Sequence, residues 1–181
     1  MTVPALATER LLLRERSLAD TEACLAMDRD PEVTRFVDGP WSDPAAHQAF
    51  VETRTRGPYA DGLGYWTILE RPEQRFIGWV LLIPRDAEGP KIEIGWRLRR
   101  AAWGHGYATE AAKDVLRHGF TTLGLEEIVA DIDPANAASR RVAEKIGLRP
   151  LGMRQGRTRP EMRYALTHDR GACAPTERRL P

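Results

Sequence analysis

The sequence is poor in cysteine, and the cysteines it has do not form a pattern. Among 181 residues there are two, Cys24 and Cys173, and neither belongs to a C-x-x-C pair. A zinc site or a redox pair would need spacing of that kind, and a disulfide framework would need a larger even set. We therefore expect no metal site and no disulfide scaffold, with one buried thiol and one thiol in the C-terminal tail.

A charge surplus and a long apolar run are also missing. The 27 lysines and arginines are balanced by 26 aspartates and glutamates, which leaves a formal net charge of +1. This balance argues against a protein that coats nucleic acid or a membrane surface. No apolar segment approaches the length of a membrane span, and the opening MTVPALATER does not have the pattern of a signal peptide. We expect no nucleic-acid partner, no membrane partner and a cytoplasmic location.

What remains is the composition of an ordinary globular domain. Hydrophobic residues make up 42% of the chain and charged residues 29%, and a chain of this length can bury a core without covalent staples. Residues 1–168 are predicted to form one domain. The last segment, 169–181, has little apolar surface to bury and is predicted to be a loose tail.

The spacing of apolar residues predicts a mixed α/β fold. A strand and two helices are followed by three strands rich in β-branched and aromatic residues, after which helix and strand alternate. The predicted order is β-α-α-β-β-β-α-β-α-β, in which a helix over residues 107–120 crosses between neighbouring strands. The segments behind this order are ERLLLRER, SLADTEACLAM, SDPAAHQAFVETR, GYWTILE, RFIGWVLLIPR, KIEIGWRLR, YATEAAKDVLRHGF, EEIVADIDP, NAASRRVAEKIGL and EMRYALTH.

A glycine-rich turn stands directly ahead of that crossover helix. The stretch RRAAWGHGYATEAA places Gly104 and Gly106 between a predicted strand and the helix N-terminus. Such a terminus leaves backbone N–H groups unpaired and carries a positive partial charge, and glycine has no Cβ to block a ligand. The turn therefore fits a phosphate cradle, with Arg99 and Arg100 as further cations. A plain tight turn fits the same residues, because neither a P-loop lysine nor the third glycine of G-x-G-x-x-G is present.

Four segments in series carry a resemblance to a known family. The strings TERLLLR, EIGWRLRR, WGHGYATEA and DIDPANAASRRVAEKIGLRPLG occur in this order between residues 8 and 168. Together they resemble the GNAT superfamily of N-acetyltransferases and, within it, the RimJ/RimL-type branch. The superfamily's pyrophosphate loop, [Q/R]-x-x-G-x-[G/A], falls on residues 103–108, with Trp103 at its first position. This departure concerns the side chain at that position and leaves the backbone cradle in place.

The resemblance implies both a fold and a cofactor. The family has a mixed, mostly antiparallel central sheet with helices on both faces, and the strand at 91–99 splays in a V from the strand at 126–133. Its co-substrate is acetyl coenzyme A, with no metal. By similarity the pyrophosphate sits on amides of the turn, and the pantetheine arm pairs with the 91–99 strand like an added strand. The residues implied in cofactor binding are Trp96, Arg97, Leu98, Trp103, Gly104, His105, Gly106, Tyr107, Ala108, Thr109 and Asn136.

Two of the matched positions, Leu98 and Ser139, are implied in the chemistry itself, and a third, Asn136, in holding the cofactor beside them. The Leu98 amide would polarise the thioester carbonyl as a one-donor oxyanion site. Asn136 and Ser139 match the family's N-x-x-S segment, in which Asn136 contacts the pantetheine arm and Ser139 returns a proton to the departing thiolate. From the residues alone, Asn136 caps a helix and Ser139 lies one turn in, so a purely structural role stays open for Ser139.

The attacking amine must lose a proton, and a carboxylate commonly accepts it directly or through water. Glu93 is the candidate, because it is the one carboxylate on the strand expected to border the cofactor. Arg97, four residues further along the strand and on the same face, is expected to keep it ionised. The alternative is that Glu93 is an ordinary half-exposed strand glutamate. The base would then be a residue of the loops that bind the amine acceptor, or a chain of water molecules would carry the proton.

These expectations combine into one reaction. The chain is expected to move an acetyl group from acetyl coenzyme A to a primary amine, on a protein N-terminus or a small molecule, by direct attack in a ternary complex. No covalent intermediate is expected, since neither cysteine is near the implied site in sequence. The alternatives are a non-catalytic acyl-coenzyme-A-binding or sensing domain, another nucleotide-phosphate binder and an interaction module. The acceptor, and the choice between monomer and homodimer, stay open.

Overall fold

The computed structural model describes residues 3–85, 91–156 and 158–168, so the tail predicted at 169–181 lies outside the described residues. Eight strands form one sheet in the order β1-β2-β3-β4-β5-β6-β8-β7. The strands are β1 (Leu6–Ala7), β2 (Leu11–Glu15), β3 (Gly64–Glu70), β4 (Arg75–Pro84), β5 (Ile92–Leu98), β6 (Glu127–Ile132), β7 (Arg149–Gln155) and β8 (Pro160–Thr167). The helices are α1 (Thr21–Asp28), α2 (Pro31–Thr34), α3 (Pro44–Arg56), α4 (Tyr107–Arg117) and α5 (Ala137–Lys145).

The pairing between β5 and β6 differs from all other pairings and opens the sheet. Every other pair of neighbours is antiparallel, and β5 pairs with β4 along its whole length. With β6 it shares only two parallel register positions, Ile92 opposite Ile128 and Glu93 opposite Val129. Beyond these positions β5 follows β4 while β6 follows β8. The mostly antiparallel sheet and its V-shaped splay are thereby confirmed.

Helices cover both faces of the sheet because side chains alternate along each strand. On one face Ile94 and Leu98 of β5 pack into the main core with the buried stripe of α4, which includes Ala111 and Val115. On the other face Cys24 and Leu25 of α1 and Val51 of α3 form a second buried cluster. Alternation turns Glu93, Gly95 and Arg97 of β5 toward this second face.

Strand β7 is an element that the sequence pattern did not predict. Pro150 and Gly152 both disfavour a strand, since proline has no N–H for the ladder and glycine no side chain to pack. The structure accommodates them because β7 is the edge strand next to β8, with a register irregularity between these two residues. Strand β1 and the single-turn helix α2 are the other additions to the predicted order.

Two kinds of feature are absent from the described residues. No helix in the described ranges is both long and apolar enough to cross a membrane. In the same ranges, no group of three or more histidine, cysteine, aspartate or glutamate side chains is arranged to hold a metal ion.

Candidate functional site

The divergence of β5 and β6 opens a cleft of about 620 Å³. Its lining comes from β5, the turn before α4, the end of β6 and the start of α5, and also from helices α1 to α3 on the opposite face. All but one of the residues implied by the resemblance line it, the exception being His105. The implied residues in the lining are Glu93, Trp96, Arg97, Leu98, Trp103, Gly104, Gly106, Tyr107, Ala108, Thr109, Asn136 and Ser139.

The turn before α4 presents a row of backbone amides. Gly104 and Gly106 both have left-handed backbones, with φ of 81° and 80°, a conformation that favours glycine. A β-carbon at Gly104 would meet nothing within 4 Å, so that side of the turn is open to a ligand. Gly106 caps α4 without a side-chain acceptor, and among the described residues no acceptor bonds the amides of residues 104–109. These N–H groups are therefore available to an anion.

The N-terminal segment fastens this turn to the rest of the protein. Arg10 donates from Nη1 to the His105 carbonyl at 3.0 Å and pairs through Nη2 with Glu110 of α4 at 2.6 Å. Its guanidinium also lies over the Tyr107 ring, 4.7 Å from the centroid. The Tyr107 hydroxyl donates to Glu70, and this hydrogen bond raises the pKa of Tyr107. Tyr107 is thus a neutral anchoring residue at neutral pH.

Strand β5 turns selected backbone groups into the cleft. The Arg99 amide donates to the Ile77 carbonyl of β4 at 2.9 Å. Because alternate residues of an antiparallel strand bond the same neighbour, the amides of Leu98 and Trp96 point the other way, toward the splay. The Trp103 indole Nε1 donates to the Leu98 carbonyl at 2.9 Å. The sequence did not reveal this bond. Because it occupies the Leu98 carbonyl, the Leu98 amide is the backbone group of this residue that can bind a ligand.

Arg97 is held by its side chain on the opposite face of β5. Its guanidinium makes a 2.9 Å ion pair with the buried Asp28 and lies between the Trp41 and Trp79 rings, 5.1 and 5.0 Å from their centroids. By the alternation described above, its backbone faces β4. The ion pair with Asp28 shows that the charge of Arg97 is shared with a buried carboxylate and is not reserved for Glu93.

Glu93 lies where β5 and β6 part. It stands opposite Ile83 on β4 and Val129 on β6, is half-buried and lines the cleft. Arg54 of α3 and Arg163 of β8 both interact electrostatically with this carboxylate. Two cations on separate elements therefore favour the ionised form of Glu93, a role expected of Arg97 from the sequence.

The junction of β6 and α5 brings Asn136 and Ser139 to the cleft. Asn136 Oδ1 accepts a hydrogen bond from the Ser139 amide at 3.0 Å, so the predicted N-cap of α5 is confirmed. The cap occupies the amide oxygen of Asn136 and the backbone N–H of Ser139. It uses neither the Asn136 NH₂ group nor the Ser139 hydroxyl, and both residues line the cleft.

Asp131, near the end of β6, is a lining residue that the sequence did not single out. Its carboxylate is 3% exposed and accepts from Arg85, from Arg154 at 2.6 Å and from Arg163 at 2.7 Å. Burial acts to raise its pKa, but the hydrogen bonds from Arg163, Arg85 and Arg154 outweigh burial and lower the pKa to about 2. Asp131 therefore remains ionised and ties β4, β6, β7 and β8 together beside the cleft.

Asp131→Asn is expected to destabilise the fold at neutral pH by at least about 2 kcal/mol, the free energy equivalent of the lowered pKa. Since the folded-state pKa is depressed, the stabilising contribution is present above about pH 4 and is lost as the pH falls toward 2. Denaturant unfolding of wild type and variant at pH 7 and at pH 3 measures this contribution. The difference in unfolding free energy between the two proteins should be smaller at pH 3 than at pH 7.

The matched control is Glu22→Gln, which breaks an exposed ion pair with Arg29 and should change stability by less than about 1 kcal/mol. Equal effects of the two substitutions at pH 7 would contradict a stabilising role for the Asp131 cluster.

The structure brings Cys24 to the cleft despite its distance from the other site residues in sequence. Its side chain is 1% exposed, and burial raises the pKa of the thiol to about 11. A thiol protonated at neutral pH is a poor nucleophile. Cys24 thus lies at the cleft although it is far from the other site residues in sequence, and its protonated thiol still supports the expectation of no covalent intermediate. Cys173 lies outside the described residues.

Comparison with known proteins decides the family. Residues 10–149 match the acetyltransferase (GNAT) domain family. The chain belongs to this family. This GNAT acetyltransferase is 31% identical to the FsC-acetyl coenzyme A-N(2)-transacetylase of Aspergillus fumigatus, over 92% of this chain and 77% of that protein. The crystal structure of an acetyltransferase from Agrobacterium tumefaciens is similar with a TM-score of 0.78 and 29% identity, covering 93% and 96% of the two chains.

A more distant structure shares the fold. An aminoglycoside acetyltransferase in complex with coenzyme A matches with a TM-score of 0.71 at 15% identity, over 87% of this chain and 94% of that one. The open amides of residues 104–109 and the cleft beside them suit the pyrophosphate and arm of coenzyme A. The protein is an acetyltransferase that uses acetyl coenzyme A.

Proposed function

We propose that this GNAT acetyltransferase, a member of the RimJ/RimL-like branch, acetylates a primary amine on a protein N-terminus or a small molecule. The acetyl group passes directly from acetyl coenzyme A to the amine in a ternary complex. The observation that carries the proposal is the cleft at the splay, because one continuous cavity is lined by the amides before α4, by Ser139 and by Glu93. Groups suited to bind the donor and to handle protons on both reactants thus face the same space.

Binding of acetyl coenzyme A is assigned mainly to backbone amides that face the cleft. The amides of residues 104–109 would hold the pyrophosphate at the positive end of α4. The amides of Trp96 and Leu98 would pair with the pantetheine arm along the edge of β5, and the Asn136 NH₂ group would contact it from α5. The Leu98 amide would lie on the thioester carbonyl, where developing negative charge needs a donor.

Two side chains would move protons during the transfer. The Glu93 carboxylate would accept a proton from the attacking amine, directly or through water, so that the nitrogen lone pair is free to attack. The Ser139 hydroxyl would donate a proton to the leaving sulfur as the carbon–sulfur bond breaks. The protonated thiol of Cys24 is not suited to receive the acetyl group, which favours the direct route.

Release of free coenzyme A thiol tests this reaction. The screen would offer peptide N-termini, polyamines and aminoglycosides to the enzyme with acetyl coenzyme A, and initial rates would be measured with both substrates varied. Intersecting lines in double-reciprocal plots are expected for a ternary complex, whereas parallel lines would indicate an acetyl-enzyme. Binding of acetyl coenzyme A without thiol release from any amine would instead support an acyl-coenzyme-A-binding domain.

Ser139→Ala is expected to lower kcat by about 10²-fold, the usual cost of losing a general acid. Affinity for acetyl coenzyme A and thermal stability should change little, because the cap of α5 uses the Ser139 backbone and not its hydroxyl. Steady-state kinetics, calorimetry and a thermal melt give the three quantities.

Asn136→Ala is the matched comparison, since it removes the cap itself and should lower stability by about 1 kcal/mol. If Ser139→Ala melts early and turns over at the wild-type rate, Ser139 is structural only.

A further inference from the structure

Arg16 is a buried cation in the wall of the cleft that the reaction described above does not use. It follows β2, is 6% exposed and lines the cleft on the side of helices α1 to α3. Its Nε and Nη2 atoms are buried and make no hydrogen bond within the described part of the chain. A buried guanidinium whose donors lack acceptors costs folding free energy, so its position calls for a ligand.

The orientation of Arg16 is fixed by aromatic rings. Its guanidinium carbon lies 3.7 Å from the centroid of the Tyr65 ring and 6.0 Å from that of Trp79. The Tyr65 hydroxyl is already an acceptor for Arg54 Nη1 at 3.0 Å. The rings thus hold the face of the guanidinium, and its in-plane donors are not satisfied by them. Nε and Nη2 share one edge of the plane, the edge that receives a carboxylate through two parallel hydrogen bonds.

The acidic residues nearby are occupied elsewhere. Residues 28–43 are rich in aspartate and glutamate, but Asp28 pairs with Arg97, and Asp38 pairs with Arg159. Asp30 and Asp43 accept from backbone amides as the N-caps of α2 and α3. Among the described residues, Arg16 is therefore left without a carboxylate partner.

We propose that the amine acceptor carries a carboxylate, which binds the guanidinium of Arg16 from the cleft while its amine reaches the splay beside Glu93. This inference rests on the proposed function and names the substrate class of the same cleft. Arg16 is then a specificity-determining residue, since an acceptor without the anionic group would leave the buried cation unpaired.

The sheet sets the length of such an acceptor. Arg16 stacks on Tyr65 of β3, Tyr65 stands opposite Leu81 of β4, and Leu81 stands opposite Gly95 of β5. Two strand spacings, about 10 Å, therefore separate the arginine from the edge of the splay. After contact distances at both ends, this leaves room for a spacer of a few methylene groups. The acceptor class is an ω-amino acid or a larger molecule that presents an amine and a carboxylate at that separation.

Matched pairs of small amines test the inference in the wild-type enzyme. Thiol release is measured with β-alanine, γ-aminobutyrate, δ-aminovalerate and ε-aminocaproate, each against its carboxamide. The carboxylates should exceed their amides in kcat/KM by about 10- to 100-fold, the effect of a charge-assisted bidentate pair, with the greatest preference among the longer members. Equal kcat/KM for acids and amides, while amines are turned over, would overturn this inference and leave the acetyltransferase reaction standing.

Variants then assign the preference to Arg16. In Arg16→Met the kcat/KM values of acid and amide should lie within about two-fold of each other. Arg16→Lys keeps the charge but not the planar guanidinium, and its ratio of acid to amide kcat/KM should be intermediate. Affinity for acetyl coenzyme A should be unchanged in both. Arg117→Met, which removes an exposed charge of α4 outside the cleft, should keep the wild-type ratio. A preference that survives in Arg16→Met would also overturn the inference.

A binding measurement keeps the test independent of turnover and of variant folding. Calorimetry of γ-aminobutyrate and of its carboxamide is performed on wild-type protein saturated with coenzyme A. Tighter binding of the acid supports the Arg16 site even if no amine in the screen is acetylated, a result that would count against the proposed reaction alone. Equal binding of the two, or none of either, would contradict a carboxylate site at Arg16.

Discussion

Gly106→Val is expected to weaken binding of acetyl coenzyme A by at least about 100-fold while the protein still folds. Gly106 has a φ of 80°, and a β-branched residue is strained there. Relief of that strain would turn the amides of the turn away from the anion, and a β-carbon at this position would lie 3.6 Å from Nη2 of Arg10, the residue that fastens the turn. Loss of two charge-assisted hydrogen bonds is enough for a change of this size. Isothermal calorimetry with acetyl coenzyme A gives the dissociation constant.

Gly124→Val is a matched control for the backbone cost. Gly124 also has a left-handed backbone, with φ of 65°, and a β-carbon there would meet nothing within 4 Å. It lies after α4 and outside the cleft lining. The two variants should lose similar stability, but only Gly106→Val should lose affinity. Unchanged affinity in a folded Gly106→Val protein would show that the cofactor does not use this turn.

Glu93→Gln is expected to lower kcat/KM for the amine by about 10²- to 10⁴-fold, the usual contribution of a general base, with affinity for acetyl coenzyme A retained. The acceptor is mostly an ammonium ion at neutral pH, since amine pKa values lie near ~8 for an N-terminus and near ~10 for a lysine-like group. Without a base the variant depends on the small fraction of free amine, so its rate should be lowest at low pH and rise toward the amine pKa. A pH–rate profile of both enzymes with one confirmed acceptor measures this.

Glu15→Gln is the control, because Glu15 is an exposed strand glutamate that does not line the cleft, and its profile should match the wild type. If the profiles of Glu93→Gln and wild type superimpose, the proton goes elsewhere. Asp131 is not suited to take it, since its pKa of about 2 keeps it a weak base held by arginines. Glu161, which also lines the cleft, would then be the next carboxylate to replace.

Features set by local interactions could be predicted from the sequence. The turn at Gly104 and Gly106, the N-cap at Asn136 and the apolar stripe of α4 all depend on residues within a few positions of one another. Backbone conformation, capping and side-chain periodicity act over that range. For the same reason β7 was missed, because Pro150 is unfavourable for a strand except at an edge, and the edge position is a property of the whole sheet.

The sequence alone determined the order of the elements other than β1, α2 and β7, the glycine turn before α4 and, through matched motifs, the family. Only the tertiary structure decided where β5 and β6 part, since strand pairing joins segments more than thirty residues apart. It also decided that Arg10 holds the turn, that three arginines hold Asp131 and that Cys24 lies in the cleft. Arg16 shows the physical reason most clearly: a charge and its partners are matched across strands and helices, and burial, which makes an unpaired charge costly, arises only when those elements pack.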